Sequence, residues 1–418
     1  MKNQSRKHDQ PSISIDFKKL MVARFLFTFA VQMQAILLGW QMYVLTHDPL
    51  FLGFIGLAEA IPALSLALYA GYIVDRGRPL AIYRSLISVS FLSAVVMFAS
   101  QRSELLLSNK QQIICLFISS FLTGVARAFS QPSTFAIVPR LVGRENLSKA
   151  SAWMSSAMQI ARISGPALGG LCYGMIGISG ATLLLCMMLI AALSALLSIR
   201  IHLPALTHTK IHASKKEEFL SGAKFVFGHP ILFSALSLDM ISVLFGGVTS
   251  LLPIYAAQIL MVGPLGLGLL RASPAFGAAL ISFWLTKVEI RERAGQYLLI
   301  VVAGFGVCIL VFALSQNYIL SLAALAASGA FDSVSMIIRS AAVQLASPDS
   351  MRGKISAVNS MFIGSSNELG EFESGIAARL FGTVPAAVLG GVICLITVSV
   401  VAIASPSLRR LNLEDLKK

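Results

Sequence analysis

Residues Pro348 to Gly375 read PDSMRGKISAVNSMFIGSSNELGEFESG, a polar turn followed by an apolar segment that carries Glu368, Glu371 and Glu373 near its middle. A carboxylate at the centre of a membrane span costs roughly 2.5 to 3.5 kcal/mol on insertion scales, so these side chains must face protein or water and not lipid. Glu368 and Glu371 are three residues apart, which places them on one face of a helix, whereas Glu373 lies further round. The segment therefore predicts a membrane helix that borders a polar pathway.

The composition of the whole chain is that of a membrane protein. Of 418 residues, 56% are hydrophobic and only 12% are charged, and the mean hydropathy is +0.78, which is too apolar for a set of soluble domains. A bilayer core about 30 Å thick requires about 20 apolar residues per helix. Such runs predict an all-α polytopic membrane protein with twelve transmembrane helices. The predicted spans are 20–45, 50–74, 80–101, 111–131, 150–176, 180–200, 229–258, 266–287, 295–315, 318–345, 354–380 and 385–405.

Lysine and arginine are distributed unevenly between the predicted loops. If the N-terminus is cytoplasmic, the two tails, five alternate loops and the span ends that adjoin them contain 25 of the 33 Lys and Arg, whereas the other loops contain only Arg102 and Lys110. This positive-inside pattern predicts that both tails, residues 1–19 and 406–418, are cytoplasmic. The net charge of +14 is then a consequence of topology, so we expect the lipid bilayer as a partner and no nucleic acid.

A polar stretch divides the chain in two. Residues 202–228 are rich in Lys, Glu and Ser and form a predicted cytoplasmic linker between six spans in residues 20–201 and six in residues 229–405. The segment KKEEFLSGAKFVF within it predicts an amphipathic helix on the inner membrane surface.

The two halves repeat at an offset of 205 residues. Two six-helix halves related by a parallel repeat are the layout of the major facilitator fold, in which the substrate binds between the halves near the midplane of the membrane. The matching pairs include Gly124 with Gly329, Gly165 with Gly370, and Gly170 with Gly375.

The segment GYIVDRGRPLAIYR, residues 71–84, lies in the predicted cytoplasmic loop after the second span. It resembles the signature of the major facilitator superfamily in that loop. The resemblance implies that Asp75 accepts hydrogen bonds from the facing half and locks the cytoplasmic side in one state, while Gly71 lets helices approach closely. Positive-inside charge alone is the alternative, and it explains the arginines but not Asp75, so Arg84 should be the easier residue to replace. The candidate cytoplasmic gate comprises Gly71, Asp75, Arg76, Arg78, Arg84, Arg140 and Arg144.

Further motifs resemble the enterobactin-exporter-like branch of that superfamily. They are FSQPS at 129–133, VPRLVGRENL at 138–147 and SGPALGG at 164–170 in the first half, and NELGEFESG at 367–375 in the second. The resemblance covers the whole transmembrane region and implies a bacterial inner-membrane exporter driven by the proton gradient, with siderophores, drugs or other amphiphiles among the substrates. An importer or symporter of the same fold is the alternative, because the sequence predicts the fold better than the direction of transport.

Charged residues inside the spans are candidates for the transport mechanism. Without an intramembrane histidine, a carboxylate must carry the proton, and two neighbouring carboxylates in a poorly hydrated place would share one. The alternative is that Glu368 and Glu371 are permanently paired with Arg379 or Arg162 and only hold helices together. The candidate proton carriers, in order, are Glu368, Glu371, Asp239, Asp332 and Glu59.

Arginines and aromatic rings predict a substrate cavity. Arg127 and Asp332 occupy corresponding positions of the repeat, so both should point to the centre, as an ion pair or as paired substrate contacts. Arg127 and Arg162 would favour an anionic or catechol-bearing ligand. The six arginines inside or at the edges of spans are Arg24, Arg127, Arg162, Arg271, Arg339 and Arg379. The candidate cavity residues are Arg127, Arg162, Arg339, Asn367, Phe129, Phe331 and Phe362.

Cysteines and histidines give no sign of a metal or a cofactor. The five cysteines lie in apolar runs without paired spacing, and the six histidines lie in loops or at the ends of spans. A membrane-embedded enzyme or receptor is the remaining alternative, but the sequence carries no nucleophile elbow, phosphate-binding loop or soluble sensor domain to favour it. We expect a monomeric transporter, not an enzyme, that works with a small-molecule substrate, protons and the lipid bilayer.

Overall fold

The computed structural model describes residues 14–101, 106–199, 215–285, 292–348 and 351–415, and these form helices and turns. Most of the predicted N-terminal tail and the first half of the predicted linker lie outside these ranges. The helices are α1 (Ile15–Thr46), α2 (Pro49–Ser65), α3 (Ala67–Arg76), α4 (Pro79–Ser100), α5 (Asn109–Leu141), α6 (Leu147–Leu197), α7 (Lys215–Gly228), α8 (Pro230–Gly246), α9 (Leu252–Ile254), α10 (Gly263–Leu285), α11 (Ala294–Leu314), α12 (Tyr318–Ala346), α13 (Arg352–Phe381), α14 (Thr383–Ala404) and α15 (Pro406–Arg409).

Polar caps and prolines determine where several helices begin. The side chain of Ser14 accepts a hydrogen bond from the backbone N–H of Phe17, which satisfies one free donor at the start of α1. Asp48 accepts from the N–H of Leu50 and is followed by Pro49, so α2 begins with a cap and an N1 proline. These short polar signals separate apolar runs that would otherwise merge.

Nine helical segments of the described ranges are long and apolar enough to cross a membrane. One of them, α6, is interrupted at Gly177, whose φ of 68° and ψ of −179° are not helical, and this break falls between the predicted spans 150–176 and 180–200. The predicted span 50–74 is divided into α2 and α3 around Leu66, and α13 carries the carboxylates of the opening motif. The fold is therefore all-α and polytopic, while the number of twelve crossings stays a prediction.

The predicted span 229–258 matches one segment long and apolar enough to cross a membrane, Pro230–Ile259, but its helix is interrupted. Helix α8 ends at Gly246, and the chain continues through a 3₁₀ turn, Thr249–Leu251, the short helix α9 and a π turn, Tyr255–Ile259. Gly246 and Gly247 are poor helix formers, and Pro253 lacks a backbone donor, so the regular hydrogen-bond ladder stops here. The apolar pattern predicted the length of this segment but not its breaks.

Successive crossings define two ends of the molecule. The basic end carries the start of α1, the connections 77–78 and 142–146, the turns at 292–293 and 347–348, helix α7 and the C-terminal segment. The opposite end carries the connections 47–48, 106–108, 260–262 and 315–317, together with Gly177 and Gly382. The sequence places nearly all the loop lysines and arginines in the connections of the basic end.

The two halves make equivalent internal contacts, as the repeat predicts. A Cβ on Gly124 of α5 would collide with the carbonyl oxygen of Glu59 on α2, and a Cβ on Gly329 of α12 would collide with that of Pro274 on α10. The paired glycines thus occupy the same kind of site in each half, where two helix backbones meet without a side chain between them. This equivalence supports a major facilitator arrangement of two pseudo-symmetric halves.

The halves meet along two helix pairs, α2 with α13 and α6 with α10. Each crossing is glycine against glycine: a Cβ on Gly375 would lie 2.8 Å from Cα of Gly53, and a Cβ on Gly268 would lie 3.1 Å from Cα of Gly170. All four residues lie in the parts of their helices that are nearer the opposite end. The two halves therefore touch closely on that side, with backbone packed on backbone.

We predict that Gly170→Val disrupts this contact while Gly174→Val does not. A Cβ at position 170 would collide with the carbonyl oxygen of Pro264, whereas a Cβ at position 174, one turn further along α6, has nothing within 4 Å. Overpacking of this kind costs typically about 1 to 3 kcal/mol. Thermal unfolding in detergent should show a lower midpoint for Gly170→Val only, and equal midpoints for the two variants would contradict the tight crossing.

Candidate functional site

An arginine of the N-terminal half bridges carboxylates from both halves near the middle of the molecule. Arg127 on α5 donates from Nη1 to Oε1 of Glu59 on α2, and from Nη2 to Oε1 of Glu368 on α13 at 3.0 Å. The side chains of Glu59 and Glu368 are only 15% and 12% exposed, whereas that of Arg127 is 42% exposed. The guanidinium group therefore borders an open space and links the two halves by charge.

A second guanidinium group reaches the next carboxylate of α13. Nη2 of Arg271 on α10 lies 3.6 Å from Oε1 of Glu371. Glu371 fits against α2 because residue 56 is glycine, where a Cβ would lie 2.8 Å from Oε2 of Glu371. Glu371 also interacts electrostatically with Glu59 and Arg127.

These five residues form what we call the central charge cluster: Glu59, Arg127, Arg271, Glu368 and Glu371. The cluster brings together three of the five predicted proton carriers and one predicted cavity residue. It contains three carboxylates and two guanidinium groups, so one bound proton makes it neutral. Its members come from α2 and α5 of the N-terminal half and from α10 and α13 of the C-terminal half.

A second, more enclosed ion pair lies inside the C-terminal half. Arg339 of α12 donates to Oδ2 of Asp239 on α8 at 2.5 Å, and the two side chains are 5% and 8% exposed. Arg339 also donates from Nε to the hydroxyl oxygen of Ser335 at 3.3 Å, and it interacts electrostatically with Asp332 on its own helix. The predicted ion pair of Arg127 with Asp332 is wrong for the described structure, because Arg127 pairs with Glu59 and Glu368 instead. The alternative, that both contact the substrate, stays a prediction.

Polar contacts between the halves close the opposite end. Nη1 of Arg379, at the end of α13, donates to Oδ2 of Asp48 at 2.7 Å. Nε2 of Gln258, in the π turn, donates to the phenol oxygen of Tyr43 on α1 at 2.8 Å. The predicted alternative was a permanent ion pair of Arg379 with Glu368 or Glu371. It is wrong, because Arg379 pairs with Asp48 instead. The sequence analysis singled out Arg379 as a charge at the edge of a span but did not identify Asp48, which lies in the connection before α2.

The predicted cytoplasmic gate lies at the basic end. Gly71 on α3 does not make the predicted close approach, since a Cβ there would have nothing within 4 Å. Arg76 stacks on the ring of Tyr72, 4.0 Å from its centroid, and Arg78 is exposed at the start of α4. The side chains of Asp75 and Arg144 lie outside the described residues, and Arg140 is partly buried at the end of α5.

Arg84 makes contacts that the sequence analysis did not predict. It donates from Nη2 to the carbonyl oxygens of Leu196 at 2.9 Å and Ile199 at 3.2 Å, so it caps the C-terminal end of α6. A cation at this position also complements the helix dipole. The expectation that Arg84 is easier to replace than Asp75 stays a prediction, although a loop lysine elsewhere would not reach these carbonyl groups.

A cavity of about 470 Å³ lies between the basic-end parts of α1, α5 and α6. Arg24 of α1 and Arg162 of α6 both line it, together with Gln131 of α5 and Gln159 of α6. Gln131 lies four residues after Arg127, so the helix face that carries Arg127 continues along the cavity wall. Among the predicted cavity residues, Arg162 is the one that lines this space in the described structure.

The predicted cavity aromatics pack elsewhere in this conformation. Phe129 packs against the hydrophobic core of the N-terminal half, and Phe331 packs against that of the C-terminal half. Phe362 lies near Phe227 of α7, with ring centroids 6.1 Å apart. Asn367 donates to the carbonyl oxygen of Ile363 on its own helix at 2.9 Å. Their contact with a substrate stays a prediction.

A small polar cavity of about 60 Å³ adjoins the central charge cluster. Glu59, Arg271 and Glu371 line it, and so does Ser250, whose hydroxyl oxygen is buried without a hydrogen-bond partner in the described structure. A buried hydroxyl group without a partner costs about 1 to 3 kcal/mol unless water satisfies it. The cavity is polar and large enough for water. Water in it would hydrate Glu59 and Glu371 on the side that faces the opposite end.

Comparisons with known proteins agree with this architecture. The family model MFS_3, described as transmembrane secretion effector, matches residues 11–418. The enterobactin exporter EntS of Shigella boydii serotype 4 (strain Sb227) is 22% identical over 346 residues, which cover 82% of this chain and 80% of that protein.

Two solved structures show the same fold. The crystal structure of a POT family transporter in complex with a thioalcohol-conjugated peptide has a TM-score of 0.73 at 13% identity, and covers 94% of this chain and 96% of that one. That of a bacterial homolog of the human lysosomal transporter Spinster has a TM-score of 0.70 at 14% identity, and covers 97% and 98%. The resemblance to the major facilitator superfamily predicted from the sequence is confirmed.

We predict that Asp48→Asn loosens the opposite end without unfolding α2. Asparagine retains the helix cap but lacks the charge that attracts Arg379, and an exposed ion pair contributes about 0.2 to 1 kcal/mol. A cysteine at Ala35, which lines the small polar cavity, should react faster with a hydrophilic thiol reagent in this variant. Arg379→Lys, which keeps the charge, is the control and should react close to the parent rate. Equal rates in the parent and in Asp48→Asn would contradict a closing role.

Proposed function

We propose that this chain, which belongs to the transmembrane secretion effector family of the major facilitator superfamily, exports a small amphiphilic molecule in exchange for protons. Membership of the family makes the chain a transporter. Export is supported by the relative that is named an enterobactin exporter. By the same likeness, we propose a siderophore or a drug as the cargo. The observation that carries the proposal is the bridge from Arg127 to Glu59 and Glu368 across the two halves.

The central charge cluster is the proposed proton carrier. With all groups ionised it has one carboxylate more than it has guanidinium groups, and an uncompensated charge in a poorly hydrated place costs several kcal/mol. One proton removes this cost. Glu368 or Glu371 binds it, as the sequence predicts. The pair of Asp239 and Arg339 is a weaker candidate, because both side chains are almost fully enclosed.

Protonation would be coupled to movement because the cluster lies between the halves. Ionised Glu368 attracts Arg127 of the other half and favours the conformation in which the opposite end is closed. A proton on Glu368 removes that attraction and favours separation of the halves at the opposite end. The small polar cavity beside Glu371 provides the water through which the proton arrives from that side.

The proposal includes an orientation. Because the positive-inside rule places the basic end in the cytoplasm, we propose a location in the bacterial inner membrane with both termini cytoplasmic. The substrate then enters from the cytoplasm at the open basic end and leaves on the outside, while protons enter from the outside and are released to the cytoplasm. A monomer is sufficient for this cycle, since both halves that form the cluster belong to one chain.

We predict that Glu368→Gln and Glu371→Gln abolish transport driven by a pH gradient while leaving the protein folded. Either change makes the cluster neutral without a proton, so the cluster loses its need to exchange one. The cargo is first identified as the metabolite that disappears from the medium of a deletion strain. Its accumulation is then measured in inverted vesicles with an acidic interior, where the parent protein should accumulate it.

Glu373→Gln is the matched control, because Glu373 lies on the same helix but outside the central charge cluster. It should accumulate cargo like the parent protein. Well-folded Gln variants at positions 368 and 371 that still accumulate cargo would contradict the proton-carrying role. Accumulation by right-side-out vesicles with an acidic exterior, but not by inverted ones, would instead identify the protein as an importer.

A further inference from the structure

Two arginines of the membrane region have no carboxylate partner among the described residues. Of the six arginines inside or at the edges of the spans, the four that form ion pairs are Arg127, Arg271, Arg339 and Arg379. Arg24 and Arg162 form none within the described ranges, and both line the same cavity of about 470 Å³. An isolated cation at this depth is costly, so their convergence on one open space calls for an anion or for water there.

Arg24 makes one weak side-chain contact in the described structure. Nε of Arg24 donates to the thioether sulfur of Met158 on α6 at 3.4 Å, and a thioether is a poor acceptor compared with a carboxylate. Arg162 lies four residues after Met158 on the same helix, lines the cavity and is exposed. Both guanidinium groups therefore retain donors that a ligand oxygen could use.

The rest of the cavity wall is neutral. Amide and hydroxyl groups of glutamine, serine and threonine side chains supply its polar surface, and Phe135 and Val138 supply apolar surface. No carboxylate belongs to the described lining of this cavity. A volume of this size, a largely apolar wall and a few polar groups are typical of sites for small organic molecules.

We propose that this cavity binds an organic anion, a small amphiphile whose carboxylate, sulfonate, phosphate or ionised phenol lies between Arg24 and Arg162. The inference rests on the proposed function, because the anion is then the transported substrate in its cytoplasm-facing site. The two guanidinium groups bind the charged end, and the apolar wall beside Phe135 binds the hydrocarbon. The cavity is separate from the central charge cluster, so charge recognition and proton exchange use different arginines.

The test compares two probes of nearly equal shape, 1-naphthalenesulfonate and neutral 1-naphthalenesulfonamide. Binding is measured by equilibrium dialysis to the full chain in phosphatidylcholine nanodiscs, without a pH gradient. The sulfonate should bind at least about tenfold more tightly than the sulfonamide, because hydrogen bonds to charged groups are stronger than those between neutral groups. Salt should weaken only the binding of the sulfonate.

Arg24→Gln and Arg162→Gln should each reduce the affinity for the sulfonate by about tenfold and leave that for the sulfonamide unchanged. Arg162→Lys keeps the charge and should retain part of the preference for the sulfonate over the sulfonamide. It replaces Arg24→Gln in the test if that variant fails to fold. Arg409→Gln is the control, because Arg409 is exposed on α15 at the same end of the molecule. Its affinities should equal those of the parent protein.

Equal affinity for the two probes, binding of neither, or unchanged binding of the sulfonate by the Gln variants would overturn the proposal. Displacement of the sulfonate when phosphatidylglycerol replaces phosphatidylcholine would also overturn it, since the anion would then be a lipid headgroup. Glu373→Gln, which lies outside the central charge cluster, should bind the sulfonate like the parent protein. Failure of the proton-coupling experiment with intact probe binding would therefore contradict the proposed function alone.

Discussion

The ion-pair bridge from Arg127 to Glu59 and Glu368 is the interaction on which the rest of the structure depends. The guanidinium group of Arg127 is held by α5, contacts Glu59 of the same half and reaches Glu368 of the other half at 3.0 Å. Removing it would leave carboxylates in the middle of the molecule without their main counter-charge, which is a strongly destabilising change. The bridge also makes the relative position of the two halves depend on the ionisation of one side chain.

Other contacts between the halves support this bridge from one side. Two glycine crossings, between α2 and α13 and between α6 and α10, bring backbones together, and the pair of Asp48 and Arg379 adds a charge contact at the opposite end. At the basic end, Gly71 has open space and a large cavity is present. The described conformation therefore has its opposite end closed and offers its cavity near the basic end.

Much of the fold could be predicted from the sequence because apolar length and glycine spacing report directly on membrane helices and their crossings. The repeat paired Gly124 with Gly329, and both occupy equivalent crossings. The carboxylates of α13 were also found in advance, since charge is rare in a membrane span. The ion-pair partners of the buried charges could not be predicted from the repeat. Arg127 and Asp332 occupy corresponding positions, but the helices that face them carry different residues. Breaks such as the one after Gly246 depend on local packing that periodicity does not record.

The most direct test of the account measures the distance between the halves at the opposite end as the pH changes. Spin labels at Leu106 and Met261, both highly exposed in connections of different halves, report this distance in nanodiscs once the five native cysteines are replaced. Lowering the pH from about 8 to about 5 should protonate the cluster, weaken the bridge and lengthen the distance. The same titration of a Glu368→Gln, Glu371→Gln variant should show no change. A distance that does not respond to pH in the parent protein, or that responds equally in the variant, would contradict the central role of the cluster.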